Sequence, residues 1–381
     1  MHRMSRLLRR PALWLLVMVG VGLSACSSRI ANTNWAGLST DGERVYLAFG
    51  PRVLAYDPET QSQSWIYPQE DGTVQYYSAP SAEGDTVIFG DYGKAGGFLS
   101  PKVTISIYAL ENVESGVPGE RWINSEAATD KIVAPPLRVG DTVYVGTADN
   151  YILALDVKDG SEQWSFETGH AIWGQPAYRD GILYVSSMDW SVYALNAETG
   201  EQIWNTAMNG ALPSRPVLGE ELMYISSYDG HVHALDIDTG EVQWSAPAND
   251  WVWGGAALAD GVIYYSDIQG NVFAADAQTG EQIWTKSTGT PVQTTPVVVG
   301  DTLYVASQTS GETMAGALTA YATADGRQLW SQATSAPLLA TPVVVGDAII
   351  VGMQNADALL IGFDLATGQE LWRYSLPETA N

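Results

Sequence analysis

The feature that most constrains the fold is a stretch of eleven residues, 194–204, which recurs along the chain. It reads as strand, turn, strand: a half-buried strand pattern leads to Asn196, a polar turn ends at Gly200, and a second apolar run begins at Ile203. Glycine at the end of such a turn can adopt a positive φ. Close copies end at Trp164, Trp244, Trp284 and Trp372. A repeated unit of this kind sets the architecture of the whole chain.

The tryptophan that closes each copy defines eight repeats. From the second repeat onward these tryptophans are 40 to 46 residues apart, and the step of 57 before them indicates an insertion in the second repeat. The eight residues are Trp65, Trp122, Trp164, Trp204, Trp244, Trp284, Trp330 and Trp372. Each repeat contains four short β segments separated by turn signals, and no stretch keeps a helical period. The pattern predicts an all-β, eight-bladed β-propeller with four antiparallel strands per blade.

The composition agrees with many short strands joined by tight turns. The chain is 46% hydrophobic and 16% charged and contains 38 glycines. Its formal charge is −25. A surface this acidic repels phosphate backbones, so we predict that the protein does not bind nucleic acid.

The N-terminal region predicts export and lipid attachment. Residues 1–25 combine an arginine-rich start with an apolar run too short to cross a bilayer comfortably, as in a secretory signal. Residues 23–26, Leu-Ser-Ala-Cys, resemble a bacterial lipobox, which implies cleavage before Cys26 and diacylglycerol on its thiol. We expect residues 26–34 to form the lipidated tether and residues 35–381 a single propeller. Cys26 is the only cysteine, so no intrachain disulfide can form.

The repeats resemble the tryptophan-docking units of the PQQ-type (pyrroloquinoline quinone) propeller family, from Trp35 to about Trp372. The resemblance implies that each tryptophan ring covers the turn of a neighbouring blade, so we interpret all eight as packing residues. Two blades depart from the pattern. The first lacks the turn glycine, and the second carries a Gly/Pro-rich stretch between Leu110 and Trp122.

Together with the lipobox, the eight repeats resemble the propeller lipoproteins of the outer-membrane β-barrel assembly machinery. That resemblance implies a non-catalytic scaffold, lipid-anchored on the periplasmic or extracellular side of a bacterial membrane, with envelope or membrane proteins as partners. We expect a monomer. An alternative is a module that binds a small ligand or glycan in the axial funnel, and the pattern does not show how the ring closes.

Candidate binding residues lie in the first-strand segment of each blade, because that strand lines the axis of a propeller. Large aromatic residues stand at one level in four of the eight blades: Trp35, Tyr77, Trp173 and Trp253. Gln175, Arg215 and Gln293 lie at or beside that level. These seven side chains form either the floor of a ligand-binding funnel or the filling between blades.

Two insertions lengthen the connection between the second and third strands of a blade, at residues 92–104 and 308–316. Long loops on a rigid scaffold carry binding function or are tolerated surface hairpins.

The residues give little support to catalysis. Quinoprotein dehydrogenases, which the fold resembles, carry adjacent cysteines, a calcium site and a catalytic aspartate, and none of these aligns here. We therefore predict no cofactor and no enzyme activity, with a PQQ-dependent oxidoreductase as the least favoured alternative. His231 and His233 point to one face of a strand, but no third ligand is evident, and we interpret them as a surface pair without a metal.

Overall fold

The computed structural model describes residues 37–70, 72–94, 103–309, 315–353 and 357–376. These residues form 32 strands and no helix. The strands make eight sheets of four, each antiparallel and built from one continuous part of the chain. The prediction of an eight-bladed propeller is confirmed.

The blades follow one another in chain order. Blades 1 to 4 consist of β1 (Gly37–Thr40), β2 (Val45–Phe49), β3 (Arg52–Asp57), β4 (Ser62–Tyr67); β5 (Ser81–Glu83), β6 (Thr86–Gly90), β7 (Ile107–Glu111), β8 (Glu120–Asn124); β9 (Leu137–Val139), β10 (Thr142–Gly146), β11 (Tyr151–Asp156), β12 (Glu162–Glu167); and β13 (Ala177–Arg179), β14 (Ile182–Ser186), β15 (Ser191–Asn196), β16 (Gln202–Ala207). Blades 5 to 8 consist of β17 (Val217–Leu218), β18 (Leu222–Ser227), β19 (His231–Asp236), β20 (Val242–Pro247); β21 (Ala257–Ala259), β22 (Val262–Ser266), β23 (Asn271–Asp276), β24 (Gln282–Ser287); β25 (Val297–Val299), β26 (Thr302–Gln308), β27 (Gly316–Ala322), β28 (Gln328–Thr334); and β29 (Val343–Val345), β30 (Ala348–Gly352), β31 (Leu360–Asp364), β32 (Glu370–Tyr374).

The first strand of each blade is short and lies innermost. First strands of neighbouring blades come close to one another, as β5 does to β9 and β21 to β25. A proline precedes most of them, and because proline has no N–H to donate, the ladder begins only after it. The segments just before that position, which we call the lead-in segments, therefore run near the axis as irregular chain. The sequence had instead predicted them as part of the first strand.

Eight separate hydrophobic clusters fill the ring, one at each contact between neighbouring blades. The second and third strands are buried on both faces, because each sheet is covered on either side by another blade. A single blade cannot bury both of these faces, so the blades stabilise one another only within the ring.

A recurrent contact joins six of the eight blade pairs. The tryptophan of one blade lies against the turn glycine of the next: a Cβ added at Gly200 would stand 2.6 Å from the Trp164 ring. The same contact forms at Gly160, Gly240, Gly280, Gly326 and Gly368. In four of these contacts the tryptophan N–H also donates to a backbone carbonyl of that turn, as Trp122 Nε1 does to Val157 O at 2.8 Å.

A tyrosine on the second strand supports this contact. The sequence pattern did not predict the role of this tyrosine. Tyr144 lies 5.8 Å from Trp164, and both donate a hydrogen bond to Ala197 O in the next blade. Tyr304 and Trp330 share Leu365 O in the same manner. In these two contacts a tyrosine and a tryptophan of one blade thus share one carbonyl of the next.

The interpretation that all eight tryptophans are equivalent is wrong for Trp65 and Trp372. Each faces a turn without the glycine, since Gln61 occupies that position in blade 1 and blade 2 has a different turn. Trp372 packs instead on Tyr56, 5.0 Å away. The Trp65 ring is buried near Tyr46, and its Nε1 has no hydrogen-bond partner among the residues that the structure describes.

The ring closes by side-chain packing between blade 8 and blade 1. Each of these two blades has its own four strands, so no strand is exchanged among the described residues. Strand β1 lies beside β29, and one hydrophobic cluster combines residues of both blades. Tyr374 Oη donates to Gln63 Oε1 at 2.6 Å across this contact. We call the contact of blades 8 and 1 the seam.

The ring has two faces with different connections. On one, the connection face, each lead-in segment bonds to the loop between second and third strands, as Ile172 N does to Thr147 O. On the other, the turn face, the two tight turns of each blade bond to each other, as Ala197 N does to Gly181 O. Both insertions connect second to third strands as predicted, and their described ends lie on the connection face. Residues 95–102 and 310–314 of these insertions lie outside the described residues.

Candidate functional site

The lead-in segments place alternate side chains in and out of the core. In blade 4, Ile172, Gly174 and Pro176 are buried, whereas Trp173 and Gln175 are partly exposed. A Cβ added at Gly174 would stand 2.5 Å from the backbone of Ser214 in the next blade. The position after the aromatic level therefore requires a small residue, because neighbouring lead-in segments approach each other closely there.

Trp173 and Trp253 come together on the connection face. Their ring centroids are 6.3 Å apart, although they belong to blades 4 and 6. Pro213, the residue at the same level of blade 5, is buried. The two indole side chains thus meet across blade 5, as the hypothesis of an aromatic level requires for blades 4 to 6 of the propeller.

The aromatic surface continues outward through two residues that the sequence analysis missed. Tyr228, in the loop before β19, lies 5.3 Å from Trp253 and stacks on Trp251 at 5.0 Å. Trp251 is 47% exposed. We call Trp173, Trp253, Tyr228 and Trp251 the aromatic chain. Its sequence signal is the pair of tryptophans in Trp-Val-Trp at 251–253.

Other predicted residues lie apart from this chain. Tyr77 packs edge-on against Tyr92 at 4.7 Å, in blade 2. Gln293 accepts a hydrogen bond from Gln308 Nε2 at 3.2 Å, beside the second insertion. Trp35 and Cys26 lie outside the described residues. The structure therefore brings together two of the four predicted aromatic side chains.

Gln175 and Arg215 hold neighbouring lead-in segments together. Arg215 donates to Gln175 Oε1 at 2.9 Å, and Gln175 Nε2 donates to Pro136 O at 2.8 Å. This chain links blades 5, 4 and 3, so the amide of Gln175 is engaged at both ends. Arg215 remains accessible to solvent, but the protein around it excludes enough water to lower the pKa of its guanidinium. It is the charged group of this region.

The histidine pair differs from the interpretation as a surface pair. His231 is partly exposed, but His233 is buried, because β19 is a third strand covered by both neighbouring blades. A third group is also present: Asp229 lies beside both rings. The regular spacing Asp-x-His-x-His was visible in the sequence and could have revealed it.

The residues near the axis do not fit a quinone cofactor of the dehydrogenase type. The only cysteine is Cys26, so adjacent cysteines cannot occur. At the aromatic level and the two positions after it, the described lead-in segments carry aromatic, aliphatic, amide, hydroxyl and guanidinium groups, but no carboxylate for a metal beside the quinone. We therefore derive no step through such a cofactor.

Two clefts lie on the turn face, away from the aromatic chain. One of about 620 Å³ is lined by acidic residues of blades 4 and 5, and one of about 1110 Å³ lies at the seam. Neither contains any of the predicted binding residues. No helix in the described part of the chain has the length and apolarity needed to span a bilayer.

Comparison with solved structures shows the fold. The crystal structure of BamB from Moraxella catarrhalis superposes with a TM-score of 0.67 and 18% identity, covering 83% of this chain and 92% of that one. The computationally designed Ika8 protein gives 0.69 and 13%, covering 86% and 95%. A europium-containing methanol dehydrogenase gives 0.61 and 14%, covering 78% and 77%. At these identities the likeness is one of architecture.

The sequence comparison is more specific. No curated protein matches the chain significantly by sequence alone. The profile of the family described as outer membrane protein assembly factor BamB matches residues 119–172, 167–252 and 248–381, which is more than half of the chain. The eight-bladed ring of PQQ-like repeats accompanies this match, and the chain belongs to the family of the outer membrane protein assembly factor BamB.

Proposed function

We propose that this protein is a non-catalytic scaffold that binds membrane proteins during outer-membrane protein assembly. The match of residues 119–381 to the assembly-factor family carries the proposal. The similar ring of the Moraxella protein, 92% of which is covered, supports it. A ring with a hydrophobic cluster at every blade contact is a rigid support for surface contacts.

The aromatic chain is the surface that we assign to partner binding. Trp251 is 47% exposed, and Trp190, on the same face in blade 4, is 54% exposed. Tryptophan and tyrosine dominate the binding energy of many protein interfaces, because a rigid ring buries a large area at little cost in entropy. The described ends of both insertions lie on the same face as these aromatic side chains.

Export and a lipid anchor are part of the same proposal. The lipobox predicts diacylglycerol on Cys26. A single tether of this kind holds a soluble domain at the membrane surface, where barrel proteins are assembled. The Cys26→Ser variant should lose lipid labelling and pass from the membrane fraction to the soluble fraction.

Crosslinking in the native envelope tests the partner. A photoreactive residue placed at Trp251 should form adducts with a barrel-assembly protein, identified by mass spectrometry. The same residue at Ile203, exposed on the outer strand of blade 4, is the matched control and should form none. We expect Trp251→Ala to reduce capture at least tenfold. If no membrane protein is captured from either site, the scaffold proposal is wrong.

A second candidate function rests on the inner end of the aromatic chain. Trp173 and Trp253 lie in the blades that flank the blade of Arg215, an arrangement suited to a flat or sugar-like ligand with an acidic or hydroxyl group. Joint Trp173→Ala and Trp253→Ala replacement should then abolish saturable ligand binding and leave the crosslinks at Trp251 in place. Loss of the crosslinks without any ligand would support the scaffold alone.

A further inference from the structure

Blade 5 holds two imidazoles and a carboxylate in one cluster. His231 and His233 lie on the same face of β19, and Asp229 precedes them by two residues in the adjoining loop. One ligand atom of each residue lies within 4.8 Å of the others. It is the one group of three such residues found in the described ranges.

The spacing suits a small divalent ion. His233 Nε2 lies 3.0 Å from Asp229 Oδ2, and His231 Nδ1 lies 3.3 Å from Asp229 Oδ1. Tetrahedral zinc, with bonds to nitrogen and oxygen of about 2.0–2.2 Å, requires ligand atoms about 3.4 Å apart. Small side-chain rotations are therefore enough to bring the three atoms onto one ion.

Neighbouring groups already orient the two inner ligands. His233 Nδ1 lies 2.7 Å from Ser245 Oγ, so Nε2 is the nitrogen directed at Asp229. A hydrogen bond at the far nitrogen is the usual means of fixing a metal-binding imidazole. The His233 and Asp229 side chains are only 7% and 10% exposed.

The corresponding site of blade 4 shows what the fold needs here. Tyr193 occupies the position of His233 and donates to Asp189 Oδ2 at 2.7 Å, and Ser191 occupies the position of His231. The Asp189 carboxylate also accepts from the backbone N–H groups of Gly169 and Ser191. Blade 5 thus places two imidazole nitrogens beside its carboxylate, where blade 4 has one side-chain donor.

We propose that Asp229, His231 and His233 bind a divalent transition metal ion of the zinc class. Two imidazoles and one carboxylate are a ligand set that zinc accepts, with a fourth position left for water or a partner side chain. His231, with 39% of its side chain exposed, lies at the solvent side and provides the way in. The site adjoins Tyr228 of the aromatic chain, on the connection face.

Metal titration tests the site. The mature full-length chain, without a histidine tag and stripped with chelator, is titrated calorimetrically with Zn²⁺. Visible absorption with Co²⁺ reports the coordination geometry. We expect one equivalent to bind and the cobalt complex to show the intense bands of a tetrahedral site. Zinc should also raise the unfolding temperature.

Variants copied from blade 4 keep the fold and remove ligands. His233→Tyr and His231→Ser should each weaken zinc binding at least a hundredfold, while the metal-free unfolding temperature stays near that of the wild type. His170→Ala is the matched control, because His170 is the one other histidine beyond the leader, and binding should be unchanged. The proposal is wrong if the wild type binds no metal saturably, or if binding survives His233→Tyr.

Discussion

Blades 3 to 8 and the seam solve the same packing problem differently. At each of the six successive contacts from blades 2 and 3 to blades 7 and 8, a tryptophan lies on a turn glycine, as Trp164 does on Gly200. At the seam, Gln61 replaces that glycine, and Tyr56 packs between Trp372 and Tyr374, at 5.0 and 4.8 Å. The difference teaches that the tryptophan packs on the turn of its neighbour only where that turn carries the glycine, and that aromatic rings from the third and fourth strands pack together at the seam, where the glycine is missing.

The largest effect is expected from breaking a regular contact. In Gly200→Ala the new Cβ meets the Trp164 ring at 2.6 Å and the residue keeps a φ of 75°. Backbone strain and overpacking together should cost about 3 kcal/mol, measured by chemical unfolding. Gly181→Ala is the matched control, since its φ is 84° and nothing lies within 4 Å of the added Cβ. It should cost about 1 kcal/mol, from strain alone. Equal losses in the two variants would contradict the packing role.

At the seam, Tyr56→Leu introduces the residue that blade 4 carries as Leu195. It removes two aromatic contacts and should destabilise the ring by about 2 kcal/mol, with faster proteolysis of the chain ends. Tyr374→Phe keeps the ring and loses only the bond to Gln63 Oε1, so its cost should be about 1 kcal/mol. An unchanged unfolding midpoint in Tyr56→Leu would mean that the seam does not depend on these rings.

A smaller effect of opposite sign is expected at Gln61. This exposed residue has a φ of 52°, which L-residues adopt at a cost. Gln61→Gly should raise the free energy of unfolding by about 0.5 kcal/mol, after allowing for the greater freedom of glycine in the unfolded chain. A measurable loss of stability would instead show that the Gln61 side chain is needed at the seam.

The smallest effect concerns the insertion of blade 2. Asp91 stands where blade 3 has Thr147, and its carboxylate is buried, accepting hydrogen bonds from Gly93 N, Ser106 N and Tyr108 Oη. Burial raises its pKa above the usual 3.8 despite these bonds. A raised pKa means that the folded state prefers the protonated acid, so this contribution to stability is full below 3.8 and is lost as the pH rises through the folded pKa.

Asp91→Asn keeps the two bonds accepted by Oδ1 and removes the charge, while the new amide N–H can donate to Tyr108 Oη in place of the bond that Tyr108 donated. Its unfolding midpoint should therefore vary less with pH than that of the wild type in the range just above pH 3.8, as seen in denaturant titrations at several pH values. Identical pH profiles for the two proteins would contradict a raised pKa of Asp91 in the folded state.

The fold was predictable because the chain repeats one sequence pattern eight times, so that each copy supports the interpretation of the others. Eight tryptophans at nearly constant spacing, with a turn glycine four residues before each of several, are sufficient to predict eight blades of four strands. The missing glycine of blade 1 was visible, but its consequence was not, since the contacts of Trp372 depend on which blade it meets when the ring closes. The exclusion of adjacent cysteines also followed from the sequence alone.

The candidate site depended on contacts between distant parts of the chain. Trp173 and Trp253 are eighty residues apart and meet only because blade 5 presents the buried Pro213 between them. Tyr228 joins them from a loop that no alignment of lead-in segments includes. Local spacing did place Asp229, His231 and His233 close together, but only the burial of β19 between two blades makes His233 an enclosed side chain. The sequence by itself determined the repeated unit, because that unit depends on contacts between residues close together in the chain. Only the closed ring of blades decided which side chains are buried and which meet, because each blade packs against the next.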